Sequence, residues 1–125
     1  MYTLALQRSF KAWHHLIGGD WGAENQPHAH PYRVEVRLEG AALNEHGYLV
    51  DLVDVGHKLD EILDSYRNAN LNELQDFASL NPSLEHFARI ICTRLAGGLT
   101  GAKLAAVTLQ LWESDSAWAS YRLET

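Results

Sequence analysis

Cys92 is the only cysteine in the 125 residues of this chain. One thiol excludes an intrachain disulfide framework and suits a reducing compartment. Basic residues are also scarce: ten Lys plus Arg stand against sixteen Asp plus Glu, a formal charge of −6. A nucleic-acid binder needs a basic footprint to displace counterions, so nucleic acid is excluded as a partner. No apolar run approaches the roughly 20 residues of a membrane span. The opening Met1-Tyr2-Thr3-Leu4-Ala5-Leu6-Gln7-Arg8 lacks a signal-peptide pattern. The expectation is a cytoplasmic protein with no membrane partner. A hydrophobic fraction of 46% and a charged fraction of 21% are ordinary, and the length predicts one domain over residues 1–125.

What is present follows a clear order. Residues 2–15 predict a strand, with Tyr2, Leu4 and Leu6 alternating before Phe10, Ala12 and His14. Ile17 to Pro27 carries three glycines, an Asn and a Pro, and reads as a loop. Tyr32 to Glu39 alternates strictly between apolar and charged residues, the sharpest strand signal in the chain. Asn44-Glu45-His46-Gly47 reads as a turn. Leu52, Val55, Leu59, Ile62, Leu63 and Tyr66 recur at helical spacing, and Asn68 to Asn72 breaks that helix. Asn81-Pro82-Ser83 opens a second helix, with Asn81 as the expected cap and Pro82 at the first helical position. Its apolar stripe is Leu84, Phe87, Ala88, Ile91, Cys92 and Leu95, closed by Gly97-Gly98. Lys103 to Trp112 and Trp118 to Leu123 predict two final strands.

The order ββααββ predicts an α+β fold, a four-stranded antiparallel sheet with two helices on one face. The second face would carry Arg33, Glu35, Arg37 and Glu39, with the arginines in cross-strand or lumen ion pairs and not in a phosphate site. Sheet edges must be covered or closed. Joining copies edge to edge into a barrel would close them and give the charged face a wet lumen.

Against this frame stands His28-Ala29-His30. Two histidines at i and i+2 on an extended segment face the same way, and His14 on the preceding strand can bring a third imidazole. Three neutral nitrogens with an open fourth position describe a catalytic zinc site. The plainer alternative is two exposed strand histidines and one in the core. His15 points to the opposite face, and His46, His57 and His86 read as surface residues.

The ordered motifs resemble the 6-pyruvoyltetrahydropterin synthase and 6-carboxytetrahydropterin synthase family over nearly the whole chain. Phe10-Lys11-Ala12-Trp13-His14 resembles the family's Phe-x-Ala-Ala-His, and His28-Ala29-His30-Pro31-Tyr32 its His-Gly-His-x-Tyr/Phe. Gly47-Tyr48-Leu49-Val50-Asp51-Leu52, with Lys58, resembles its entry to the first helix. Leu71-Asn72 followed by Asn81-Pro82-Ser83-Leu84-Glu85 resembles Leu-Asn…Asn-Pro-Thr-x-Glu. Leu109-Gln110-Leu111-Trp112-Glu113, with a closing Tyr121, resembles the strand that ends in the pterin-anchoring glutamate.

The resemblance implies the tunnelling fold: ββααββ subunits in trimeric barrels that usually pair into hexamers. It implies zinc on His14, His28 and His30, and a pterin substrate held by Glu113 with Ser83 and Glu85. A carboxylate such as Glu113 can accept two parallel hydrogen bonds from the pterin 2-amino group and adjacent ring N–H. The bland alternative for Glu113 is a strand-end surface carboxylate.

Departures from the pattern bear on the chemistry. Four residues before the His-x-His the family places a catalytic cysteine, and this chain has Glu24. Cys92 lies on a helix stripe and cannot replace it. Glu24 is either a solvated loop carboxylate or the base. Some relatives with glutamate there are associated with cleaving the dihydroneopterin triphosphate side chain. The family's relay histidine is also absent, its position falling on Asn68 after Arg67, or on Ser65, depending on the alignment. Two functions follow: a zinc-dependent lyase acting on 7,8-dihydroneopterin triphosphate or a related dihydropterin, or a catalytically impaired pterin-binding paralogue that keeps its zinc.

Overall fold

The computed structural model describes residues 1–125. Four strands form one antiparallel sheet in the order β1 (Tyr2–His14), β2 (His28–Gly40), β3 (Ala106–Trp112), β4 (Trp118–Glu124). Two helices, α1 (Leu52–Asp64) and α2 (Leu84–Gly97), lie between β2 and β3 in sequence and pack on one face. The expected ββααββ architecture is therefore observed.

Register explains the core. Phe10 pairs with Tyr32, Leu6 with Val36, and Val34 with Leu111. These residues share a face and meet Val55, Leu59 and Leu63 of α1 and Phe87, Ile91 and Leu95 of α2 in one buried cluster. Phe10 stacks on Tyr32 at 5.2 Å between ring centres, and Phe87 meets Tyr32 edge-on at 5.2 Å. Arg8 shares this face but ends in an ion pair with Asp60 of α1 at 2.8 Å. Gly56 makes room for it: a Cβ there would lie 2.7 Å from the guanidinium.

The opposite face is polar, as expected. Arg37 bonds Glu35 and, at 2.8 Å, Gln110; Arg122 reaches Glu39 at 3.4 Å. Within the chain Arg33 makes no cross-strand ion pair and lies over the Trp112 ring, 4.3 Å from its centre. The indole face attracts a cation with little desolvation.

Two local expectations change. Ser83, not Asn81, caps α2, accepting the His86 N–H at 3.1 Å. The Asn81 side chain instead accepts the Ile17 N–H at 2.9 Å, so it ties α2 to the loop after β1. Part of the β1 edge is also covered within the chain. Residues 68–72 run beside it: Asn68 N–H bonds Lys11 O at 2.6 Å, Trp13 N–H bonds Ala69 O at 2.8 Å, and Asn72 brackets the His15 backbone through both amide atoms. Buried Tyr66 anchors this segment, donating to Asp76 at 2.6 Å and accepting from Arg94 at 2.8 Å.

Cys92 is fully buried, as its place on the stripe required, with its thiol 3.6 Å from the Val107 carbonyl. Burial pushes that thiol up to about 11. Native protein at pH 8 is expected to resist a thiol reagent that labels it within minutes in denaturant. The neutral thiol is favoured in the fold, so its stabilising contribution is full below pH 9 and lost as pH rises through about 11. Fast labelling of the native chain would show that α2 opens from the sheet.

Candidate metal centre and adjoining cleft

The sheet narrows at one end. β3 pairs with β2 only over Arg33–Glu39, whereas β1 continues beside β2 as far as the pair His14↔His28. Residues 28–32 thus form an overhang beyond the four-stranded part. His14, His28 and His30 all fall on its helix-facing side, because Ala12 pairs with His30 and His14 with His28.

One nitrogen from each ring lies within 4.8 Å of the others, so the three histidines can hold an ion. Ring centres are 4.6 Å apart for His14 and His28, and 4.8 Å for the other two pairs. The Nδ1–H of His28 donates to the Gln26 carbonyl at 2.8 Å, which leaves its Nε2 as a lone-pair nitrogen. Nε2 of His28 and Nε2 of His30 are buried with no hydrogen-bond partner. Buried acceptors are rarely left unpaired, so two such atoms facing one point fit a cation. Burial, and then the neighbouring His30 and His28, push the His14 imidazole down to about 4, which keeps it neutral at pH 7 as a ligand must be. His15, half-buried, does not join the group.

Beside the triad opens a cleft of about 290 Å³ lined by His14, Leu16, Trp21, Glu24, Asn81, Ser83, Leu84, Glu85 and Glu113. Every site residue expected from the sequence therefore lies in the triad or on this cleft. Glu24 sits in a short 3-10 turn, Gly22–Asn25, with its side chain exposed. The loop that carries it is well tied. Its carbonyl accepts the Leu16 N–H at 2.8 Å, and Asn25 bonds Trp21 N, Leu16 O and Gly19 O. Glu113 follows the end of β3, half-buried. Ser83 is at the first turn of α2, and Glu85 is exposed at the rim.

The positions that align with the family's relay lie elsewhere. Ser65 meets Arg94, Arg67 bonds Ser9 O, and Asn68 holds the β1 edge. None lines the cleft.

Two residues of the site carried no assigned role in the sequence. Trp21, 44% exposed, forms one wall of the cleft. The Tyr32 hydroxyl is 3.2 Å from His14 Nδ1. A tyrosine on a core face needs a polar partner, and a same-parity histidine on the paired strand was the available signal. Burial, then the charge on Glu113, raise this phenol above its ordinary range, so it stays protonated.

A protein with this sheet, three convergent imidazoles and a carboxylate-lined cleft belongs to the α+β proteins able to bind a metal at the end of a sheet. The chain belongs to the 6-pyruvoyl tetrahydropterin synthase family, whose model matches residues 3–124. Among solved structures it is similar to the Caenorhabditis elegans 6-pyruvoyl tetrahydropterin synthase, with TM-score 0.83 and 22% identity over 98% of this chain and 96% of that one. A catalytic-residue mutant of the Plasmodium vivax enzyme, glutamate replaced by alanine, gives TM-score 0.83 at 16% identity, covering 99% and 98% of the two chains. The Plasmodium falciparum enzyme gives 0.80 at 14%, again over 99% and 98%. These likenesses show the fold. No curated protein matches the chain by sequence.

Proposed function

We propose that this chain is a zinc-dependent, lyase-type enzyme acting on the side chain of 7,8-dihydroneopterin triphosphate or a closely related dihydropterin. The observation that supports it best is the single cleft shared by His14, Glu24, Ser83, Glu85 and Glu113 beside the triad. His14, His28 and His30 would hold the zinc, which when bound supplies Lewis acidity toward a side-chain hydroxyl or carbonyl. Glu113 accepts two parallel hydrogen bonds from the pterin ring and fixes its orientation. The Ser83 oxygen already accepts the His86 N–H, so its own proton is free to donate to the ligand. Glu24 takes a proton from the side chain. A carboxylate is intrinsically a weaker base than a thiolate, but a glutamate is also the residue replaced in the Plasmodium vivax catalytic-residue mutant. Product analysis after incubating zinc-loaded protein with dihydroneopterin triphosphate tests the proposal. A released side-chain fragment or a rearranged pterin supports it, and unchanged substrate overturns it.

One observation favours a second reading, a pterin-binding paralogue without turnover. Ser65, Arg67 and Asn68 are all away from the cleft. A binding titration beside a turnover panel of dihydropterins separates the two readings.

Glu113→Gln is expected to weaken pterin binding by about 2–4 kcal/mol at unchanged zinc content, because an amide cannot accept both ring hydrogen bonds. Calorimetric titration checks this, and unchanged affinity would move the anchor to Glu85. The proposal also includes a trimer-based ring, hexameric at working concentration. The outer edges of β4 and of residues 2–10 of β1 have no strand beside them within the chain, and such edges pair readily. Light scattering at micromolar concentration is expected to give a multiple of three chains, and a monodisperse monomer would refute the ring.

A further inference from the structure

We propose that the Tyr32 hydroxyl is a positioning residue for the metal centre: it accepts the Nδ1–H of His14 and so presents Nε2 as the ligand atom. This rests on the proposed zinc site.

A neutral imidazole that binds a metal through one nitrogen carries its proton on the other. In His28 that proton has a fixed acceptor, the Gln26 carbonyl, at 2.8 Å. His14 is 3% exposed, so its own Nδ1 proton is shut off from water. The hydrogen-bond partner of that atom is the Tyr32 oxygen at 3.2 Å, and the Pro82 carbonyl also acts on the His14 ring. Without it, metal binding would cost that buried N–H its side-chain acceptor, and with it affinity.

A phenol also differs from a carbonyl in a way that matters here. Its O–H can donate as well as accept, so in metal-free protein it can satisfy an unprotonated Nδ1. His14 can then hold its proton on Nε2, facing the lone pairs of His28 and His30. A bound metal would favour the other tautomer, with the Tyr32 oxygen as acceptor. Gln26 can hold only one tautomer of His28; Tyr32 accommodates both tautomers of His14.

The phenol is placed by packing. Tyr32 is 2% exposed, stacked on Phe10 and edge-on to Phe87. Those contacts need the ring and not the oxygen, so Tyr32→Phe removes the hydrogen bond and keeps the packing.

The test compares parent and Tyr32→Phe by zinc competition against a chromogenic chelator, with thermal melts of the metal-free proteins. The expected result is a zinc affinity lowered about 10- to 100-fold, the range for loss of an outer-shell partner, with a melting midpoint shifted by only a few degrees. Equal affinity in the two proteins overturns the inference while leaving the zinc site standing. A parent that takes up no zinc overturns the site itself, and the inference with it. Should the variant fail to fold, imidazole 15N spectra of the zinc-loaded parent decide instead. Zinc on His14 Nε2 with a protonated Nδ1 slowed in solvent exchange supports the assignment, and zinc on Nδ1 refutes it.

Discussion

Zinc content is expected to collapse in His28→Ala and in His30→Ala. Each change leaves two protein ligands, and the loss should exceed the roughly 10- to 100-fold that removing an outer-shell partner costs. Elemental analysis after dialysis reads the effect directly: about one zinc per chain in the parent and a small fraction of that in either variant. Neither side chain belongs to the buried apolar cluster, so the fold should persist and circular dichroism should stay near the parent's. His15→Ala is the control, because His15 is not among the histidines whose ring nitrogens converge. A variant series in which His15→Ala empties the site and His14→Ala leaves it full would place the ligand set one residue off.

Turnover is expected to vanish in Glu24→Gln while zinc content and pterin affinity hold. The amide fills the same space and cannot take a proton, so the loss should fall on kcat by at least the 10²–10⁴-fold typical of a positioned base. The side chain is exposed on a tied turn, which makes a folding defect an improbable cause of any loss. Glu24→Cys should rescue little classical synthase product, since Ser65, Arg67 and Asn68 supply no imidazole and do not reach the cleft. Parental turnover in Glu24→Gln would remove Glu24 as an essential base and leave a neighbouring subunit's residue to be sought.

Alternation made most of this molecule legible before any coordinates. β1 and β2 are half-buried strands, so burial follows parity, and that parity aligned His28 and His30 with Tyr32, Val34 and Val36. β3 was expected from Lys103 but begins at Ala106. Its residues are buried on both faces through Leu111, so no period-2 contrast marks where it starts. The cap of α2 was misplaced for a related reason. Asn81 and Ser83 both suit a cap, and the choice was made by a distant backbone N–H, that of Ile17, which claims the Asn81 side chain. Residues 68 and 69 cover the β1 edge through main-chain bonds, and main-chain bonds leave no signature in side-chain order.

The site divides in the same way. The three histidines and Glu113 were legible because each lies at one end of an alternating strand. Glu24 was visible only as a departure from a family pattern, and its tie to Leu16 required the folded loop. The Tyr32–His14 bond joins residues 18 apart in sequence. Motif reading attends to ligands and passes over what holds them.

The overhang of β2 beyond β3 has an evolutionary consequence. Because strand side chains alternate, inserting one residue between His30 and Arg33 would turn both imidazoles to the polar face, while the four-stranded part kept its pairing. Inserting two would return them to the same face, farther out along the ribbon. Length variation in this hairpin is therefore filtered by parity: an odd step on β2 turns its two imidazoles away from His14, and an even step keeps the face but breaks their register with His14. Only matched even insertions in both strands would carry the whole triad outward and leave the core undisturbed.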